Sequence, residues 1–235
     1  MSSLSIVVPA RNEEGNLKEC VQTVLGAIDG LFTEYEIVIV DDGSTDGTGA
    51  LADRLASEIP AVRVVHNPVG TGFAQAYRRG LELASKEYVG LIPGDNEIQP
   101  VSMRAIFQAV GTAPIVAPFT ANQAERPWLR RVLSRTFTGT VNTLFGLRLR
   151  YFQGPSVYPT ALARRIPTTT RGYAFLAEML IRALAAGHRA IEVPMYIQPR
   201  QFGASRAVTV RNVVTSLKTV ALVLWDVKVR RRPLG

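Results

Sequence analysis

Between residues 1 and 100 a short apolar run is followed four times by a polar loop, and each loop but the last gives way to apolar residues at helical spacing. The first run, Ser3 to Pro9, alternates β-branched residues and opens into Ala10-Arg11-Asn12-Glu13-Glu14. Asn12 or Glu13 near a helix start would favour the dipole, and Leu17, Val21, Val24, Leu25 and Ile28 then share one face. The second, Tyr35 to Val40, runs into Asp41-Asp42-Gly43-Ser44-Thr45-Asp46-Gly47-Thr48, with helical spacing resuming from Ala50 to Ile59. Val62 to Val65 is a third strand, followed by Asn67-Pro68-Val69-Gly70-Thr71-Gly72 and a helix from Phe73 to Ser85. Strand, polar loop, helix, repeated, predicts an α/β fold around a mostly parallel sheet flanked by helices.

The fourth run, Tyr88 to Ile92, passes through Pro93-Gly94 straight into Asp95-Asn96-Glu97. A parallel sheet binds ligands in the crevice beyond its carboxyl ends, and both carboxylates leave a strand there. Two hard oxygen ligands suit Mg2+ or Mn2+ bridged to a diphosphate; an ordinary Asp-Asn turn beside a solvated glutamate has the same spelling. Gly70-Thr71-Gly72 lacks the third glycine of a dinucleotide fingerprint, and no Gly-Lys-Ser/Thr follows it, so dehydrogenase and P-loop readings are disfavoured.

Composition narrows the class further. With 235 residues, 47% of them hydrophobic, the chain is long enough for one large α/β domain. A lone cysteine, Cys20, excludes an internal disulfide and a thiolate zinc cage, and His66 and His188 lack metal-ligand spacing. Leu4 to Pro9 is too short for the core of a secretory leader, so a cytoplasmic chain is expected. The net charge of +8 is unevenly laid out: residues 1–125 carry 8 basic and 16 acidic side chains, whereas 126–177 carry nine arginines and no acid. Residues 199–235 add eight basic side chains against Asp226 alone. Such a basic half suits nucleic acid, anionic lipid or a phosphorylated substrate.

Pro9-Ala10-Arg11-Asn12-Glu13, the string Val40 to Thr48, Gly70-Thr71-Gly72 with Arg78-Arg79-Gly80-Leu81, and the acidic pair after the fourth strand together resemble glycosyltransferase family 2 with the GT-A fold. Within it the chain is most similar to the polyprenyl-phosphate glycosyltransferases, of which dolichol-phosphate mannose synthase is the type. The resemblance spans about residues 4–206 and implies a GT-A domain over 1–206 with an appended helix over 207–235. It implies an inverting transfer from a UDP- or GDP-sugar to a lipid phosphate, assisted by Mg2+ or Mn2+ at Asp95 and Glu97. It assigns the nucleotide-sugar to Pro9, Arg11, Glu13, Ile39, Asp41, Asp42, Gly72, Asp95, Asn96, Arg200 and Arg206, and catalysis to Asp95, Glu97, Gln99 and Glu178. Glu97 stands where the family usually has Asp, Arg11 where an aromatic is common, and Arg206 where Lys closes the Arg-x-x-Gly-x-Ser-Lys loop. Tyr151-Phe152-Gln153-Gly154 falls where relatives often carry an acid, so an acceptor-side acid is missing.

A phosphate acceptor is already an anion and needs no strong base. A hydroxyl acceptor needs a positioned carboxylate, for which Glu178, on the helix that Gly172 to Leu180 resembles, is the candidate; a surface or capping role fits it equally. His188 reads as a helix-end residue. Two stretches point to an anionic membrane surface. Pro127 to Leu147 spells one or two basic amphipathic helices, and Val213 to Trp225 is an apolar helix, too short to span, followed by Arg230-Arg231-Arg232. A helix packed on the sheet, and a helix for a partner or a second copy of the chain, fit those stretches as well. Rival readings are a family 2 enzyme acting on a polysaccharide or soluble hydroxyl, and a non-catalytic binding protein using the basic half. Nucleic acid is disfavoured as a partner, since the basic half lacks interleaved aromatics. A peripheral place on the cytoplasmic face of the membrane follows from the preferred reading.

Overall fold

The computed structural model describes residues 2–170, 172–200, 202 and 210–234. Four parallel strands, β1 (Leu4–Ala10), β2 (Tyr35–Asp42), β3 (Val62–Asn67) and β4 (Tyr88–Leu91), lie in the order β3-β2-β1-β4. Helices α1 (Leu17–Ile28), α2 (Thr48–Glu58) and α3 (Phe73–Leu83) make the crossovers. The chain steps outward from β1 to β3 and returns to β1's other side with β4. The topological switch point therefore lies between the ends of β1 and β4, where loops diverge and leave a crevice.

After β4 come α4 (Pro100–Gln108), β5 (Ile115–Thr120), a short 3-10 turn and α5 (Trp128–Phe145). Then follow β6 (Tyr158–Pro159), α6 (Thr160–Arg165), α7 (Phe175–Ala185), β7 (Ala190–Met195) and α8 (Val210–Leu224), which runs into a π turn over Trp225–Val229. β6 pairs antiparallel with β4, closing that side of the main sheet, and β5 and β7 form a separate parallel pair. Val116 and Val157 exchange backbone hydrogen bonds of 3.0 and 2.9 Å, which ties this pair to the segment entering β6.

Strand periodicity of two sends alternate side chains to opposite faces. Ile6 and Val8 join Ile37 and Ile39 on the face covered by α1, α2 and α4. Val7, Val38 and Val40 face α3, α6, α7 and α8. With both faces covered, all seven residues of β1 are buried. Helix α3 presses so close to β1 that a Cβ on Gly80 would lie 2.3 Å from a methyl of Val7, so this contact requires glycine. Helix α5 is one helix, ended by Gly146 in the left-handed conformation (φ 68°). Helix α8 belongs to the core: Val220 and Val223 are buried in the cluster that contains α7. Among the described residues no helix is long and apolar enough to cross a membrane.

Candidate active site

The loops at the switch point are held by hydrogen bonds between chain-distant residues. Asn12, in the left-handed region (φ 56°), donates its N–H to Ser44 Oγ at 3.0 Å, and its Oδ1 accepts the Thr45 N–H at 2.8 Å. Thr48 Oγ1 accepts the Glu13 N–H at 2.8 Å. The strand alternation then separates neighbouring acids. Asp41 points to the α2 side, where Oδ1 accepts the Ser44 N–H at 3.1 Å and Oδ2 lies 3.0 Å from His66 Nδ1. Asp42 points to α3, where it accepts the N–H groups of Thr71 and Gly72, each at 2.8 Å, together with the Thr71 hydroxyl and the Asn67 amide. Burial opposes that charge, but these bonds hold the Asp42 carboxyl below its ordinary value. These bonds tie the carboxylate to the glycine loop; Gly72 there adopts φ 97° at the start of α3. Arg11 is exposed, its guanidinium laid against Gly70, where a Cβ would come 2.4 Å from Arg11 Cζ.

At the end of β4 the main sheet's ladder continues for two more bonds, Ile92 N–H to Val7 O at 3.0 Å and Gly94 N–H to Pro9 O at 3.1 Å. Asn96 then takes the left-handed conformation (φ 53°), and Asp95 Oδ1 accepts the Glu97 N–H at 3.3 Å. The segment after β7 runs antiparallel alongside: Gln99 N–H donates to Tyr196 O at 3.1 Å and Gln198 N–H to Glu97 O at 2.8 Å. This pairing delivers Arg200. Its Nη2 donates to Asp95 Oδ2 at 2.5 Å, its Nε to Glu97 Oε1 at 2.5 Å and its Nη1 to Glu13 Oε1 at 3.3 Å. Three carboxylates thus share one guanidinium. Burial and the charge of Glu97 outweigh Arg200 at Asp95, whose carboxyl is pushed up to about 6.

Among the described residues no three ligating side chains stand ready around a vacant centre. The donor set nonetheless fits a divalent ion. Asp95 and Glu97 present hard oxygens, and one guanidinium leaves the three acids short of neutralising charge.

Asp95 and Glu97, with Arg200, line a cavity of about 390 Å3. Apolar side chains from three helices wall it, among them Leu133 and Phe137 of α5, Leu176 of α7 and Val220 of α8. Arg126 and Arg130 line it too. Arg126 Nε is buried without a hydrogen-bond partner among the described residues, and Arg130 loses a proton more easily than usual because burial and then Arg126 disfavour its charge. Tyr173 also lines the cavity, its ring 4.8 Å from that of Phe73, and burial and then Asp95 keep its hydroxyl protonated.

The structure thus brings Asp95, Glu97, Glu13 and Arg200 together, with Pro9 and Asp41 at the ends of β1 and β2 and Arg11, Gly72 and Asn96 on the surrounding loops. Four of the expected site residues have other surroundings or partners than expected. Ile39 is wholly buried in the core, so its side chain is not available to a nucleoside. Gln99 contributes its backbone to the α4 start and does not line the cavity. Glu178 has no exposed surface; its carboxylate accepts from Thr169, Thr170 and Arg182 and lies outside the cavity wall. Arg200 grips the carboxylates where a diphosphate contact was expected. Arg206 lies outside the described residues. Arg126, Arg130 and Tyr173 were missed as individuals; their signal was the acid-free stretch 126–177.

Polyprenol monophosphomannose synthase of Mycolicibacterium smegmatis is 28% identical over 214 residues, covering 86% of this chain and 79% of that protein. Undecaprenyl-phosphate mannosyltransferase of Micrococcus luteus is 29% identical over 212 residues, covering 85% of each. Glucosyl-3-phosphoglycerate synthase from Mycobacterium tuberculosis, solved with Mn2+, UDP and glucosyl-3-phosphoglycerate, superposes with a TM-score of 0.71 at 20% identity. The match covers 94% of this chain and 80% of that one, and the shared fold is GT-A. The model of the family described as "Glycosyl transferase family 2" matches residues 5–168. The chain belongs to that family and is a glycosyltransferase.

Proposed function

We propose that this enzyme moves a hexose from a nucleotide-sugar to the phosphate of a polyprenyl lipid, with inversion at the anomeric carbon. One observation carries the reading: a single cavity is lined by the carboxylates of Asp95 and Glu97, by the two arginines Arg126 and Arg130, and by apolar side chains of three helices. A diphosphate–metal group, an acceptor phosphate and a prenyl chain match those three environments in turn. The names of the two mannosyltransferase relatives support the same acceptor class.

In this reading Pro9, Arg11, Glu13 and Asp41 surround the nucleoside, and Gly72 lets the backbone come close to the donor. Asp95 and Glu97 hold Mg2+ or Mn2+, which when bound neutralises charge on the leaving diphosphate. Arg126 and Arg130 hold the acceptor phosphate, and two adjacent guanidinium forks match its oxygens. A phosphate oxygen bonds to the anomeric carbon as the carbon–oxygen bond to the diphosphate breaks. The electron pair leaves with the nucleoside diphosphate, and no proton moves. The burial of Glu178 removes the base that a hydroxyl acceptor called for.

Two of the helices that wall the cavity carry exposed apolar side chains, Trp128, Leu129 and Val132 on α5 and Leu222 on α8, with Trp225 just beyond. With Arg230-Arg231-Arg232 following, they suit a peripheral seat on an anionic membrane surface. The test is transfer of labelled sugar from UDP- or GDP-sugars, with Mg2+ or Mn2+, to a polyprenyl phosphate. The expected product enters the butanol-soluble fraction, and Arg126→Gln with Arg130→Gln raises the acceptor KM at least tenfold while donor affinity holds. Label confined to water-soluble glycosides overturns the reading.

A further inference from the structure

We propose that His66 is a positioning residue for the donor nucleoside: it holds Asp41 by bridging it to Asp53, and the bridge is complete only when the imidazole carries both protons. The inference rests on the reading above, in which Asp41 meets the nucleoside. His66 stands opposite Asp41 in the β2–β3 ladder, on the face that α2 covers. Its Nδ1 lies 3.0 Å from Asp41 Oδ2 and its Nε2 lies 3.0 Å from Asp53 Oδ1. These two carboxylates, one from β2 and one from α2, are the charged groups that act on the ring. A neutral imidazole has one N–H and one lone pair, so one nitrogen would turn its lone pair on a carboxylate oxygen. The imidazolium donates to both. The two hydrogen bonds accordingly hold the proton on His66 above its ordinary value.

The neighbourhood is shaped for this bridge. Residue 49, in the first turn of α2, is glycine, and a Cβ there would lie 3.0 Å from Asp41 Oδ2 and 3.6 Å from His66 Cε1. Among the described residues Asp41 is otherwise held only by the Ser44 N–H, at 3.1 Å on its other oxygen. When His66 loses its proton, one of the two bonds of the bridge is lost, and the carboxylate that faces the donor is free to turn. Donor affinity then falls as pH rises through the folded-state titration of His66.

The experiment measures binding of UDP-glucose and GDP-mannose, each with Mg2+, to the full chain by calorimetry from pH 6 to 8.5. The His66 ring is titrated by NMR with and without the tighter of the two. The chain has two histidines, so His188→Gln assigns the signals. The expected result is an affinity that falls about fivefold on the alkaline limb. Reciprocally, the bound nucleotide-sugar moves the His66 titration to higher pH. His66→Gln, which donates to only one carboxylate, loses this fall in affinity at alkaline pH. An affinity that stays flat while His66 titrates overturns the proposal, as does a His66 titration unmoved by a nucleotide-sugar that binds. Should His66→Gln not fold, the wild-type linkage alone decides. Absence of nucleotide-sugar binding at every pH overturns the donor reading and this inference with it.

Discussion

Arg200 donates to Asp95, Glu97 and Glu13 at once, yet burial and Glu97 keep the Asp95 carboxyl near 6, above its ordinary 3.8. A folded-state value above the unfolded one means that the native protein binds the extra proton, so this group's contribution to stability declines as pH rises from about 4 to about 6. Asp95→Asn removes that cost, and Glu97 and Glu13 still hold Arg200. The variant is expected to melt no lower than wild type at pH 7.5, with a flatter acid limb in thermal melts, and to lose sugar transfer. Glu178 gives the converse case. Glu178→Ala leaves the Thr169 and Thr170 N–H groups and the Arg182 Nε without their acceptor. It should lower unfolding free energy by about 3–5 kcal/mol in urea titrations, and donor affinity of the folded fraction should persist. Residues of this kind are the least legible in a sequence. Glu178 and Arg182, four apart on a helix, spell an exposed ion pair, and only tertiary packing makes them buried. Ile39 and Asp41 sit two apart on one face of β2, so the residue that ends in the core and the one at its rim follow the same alternation. His66 looked inert because its partners come from other elements.

Elements were easier to read. The alternation in β1 and β2 and the helical spacing from Leu17 to Ile28 were visible because apolar residues must cover a sheet on both faces. The turn that carries Asp95 and Glu97 was visible because a Pro-Gly pair ends β4. Strand β3 extends two residues past its apolar run, since His66 and Asn67 pair with Asp41 and Asp42 in the ladder. The stretch from Pro100 to Thr120, read as no particular element, forms α4 and β5. Strand β5 pairs with β7, some 75 residues later, as in Ile115 with Ala190, and local spacing cannot show such a partner. Gly80 is informative at this scale. In Gly80→Val the side chain would enter the space of Val7 and push α3 off β1. A loss of about 1–3 kcal/mol is expected in denaturant titrations, together with weaker donor binding, because the Gly70–Gly72 loop leads directly into that helix.

Across the whole molecule, the chain's last turns are part of the cavity. Val220 lines it, and Asp226, just past α8, accepts from Arg182 Nη2 at 2.8 Å while Pro233 O accepts from Nη1 at 3.5 Å. Arg182 is 1% exposed. Deleting residues 226–235 strips this buried cation of one of its two carboxylates. The truncated chain is expected to be about 3 kcal/mol less stable, a shift that calorimetry would read as a lower Tm. The acid-free arginine stretch was visible in the sequence, but the cavity that Arg126 and Arg130 line was hidden, because apolar spacing in α5 describes a cavity wall and a surface helix alike.

The strand order has a consequence in time as well as in space. Strand β1 can pair with β2 as soon as about 40 residues have been made, but its other edge waits for Tyr88–Leu91. Pairing segments so far apart closes a long loop before any contact rewards it, which makes such assembly slow. A ribosome that has released only β1 to β3 therefore carries a nascent sheet with β1 as a naked border and no crevice, and chaperone demand should be greatest in that interval.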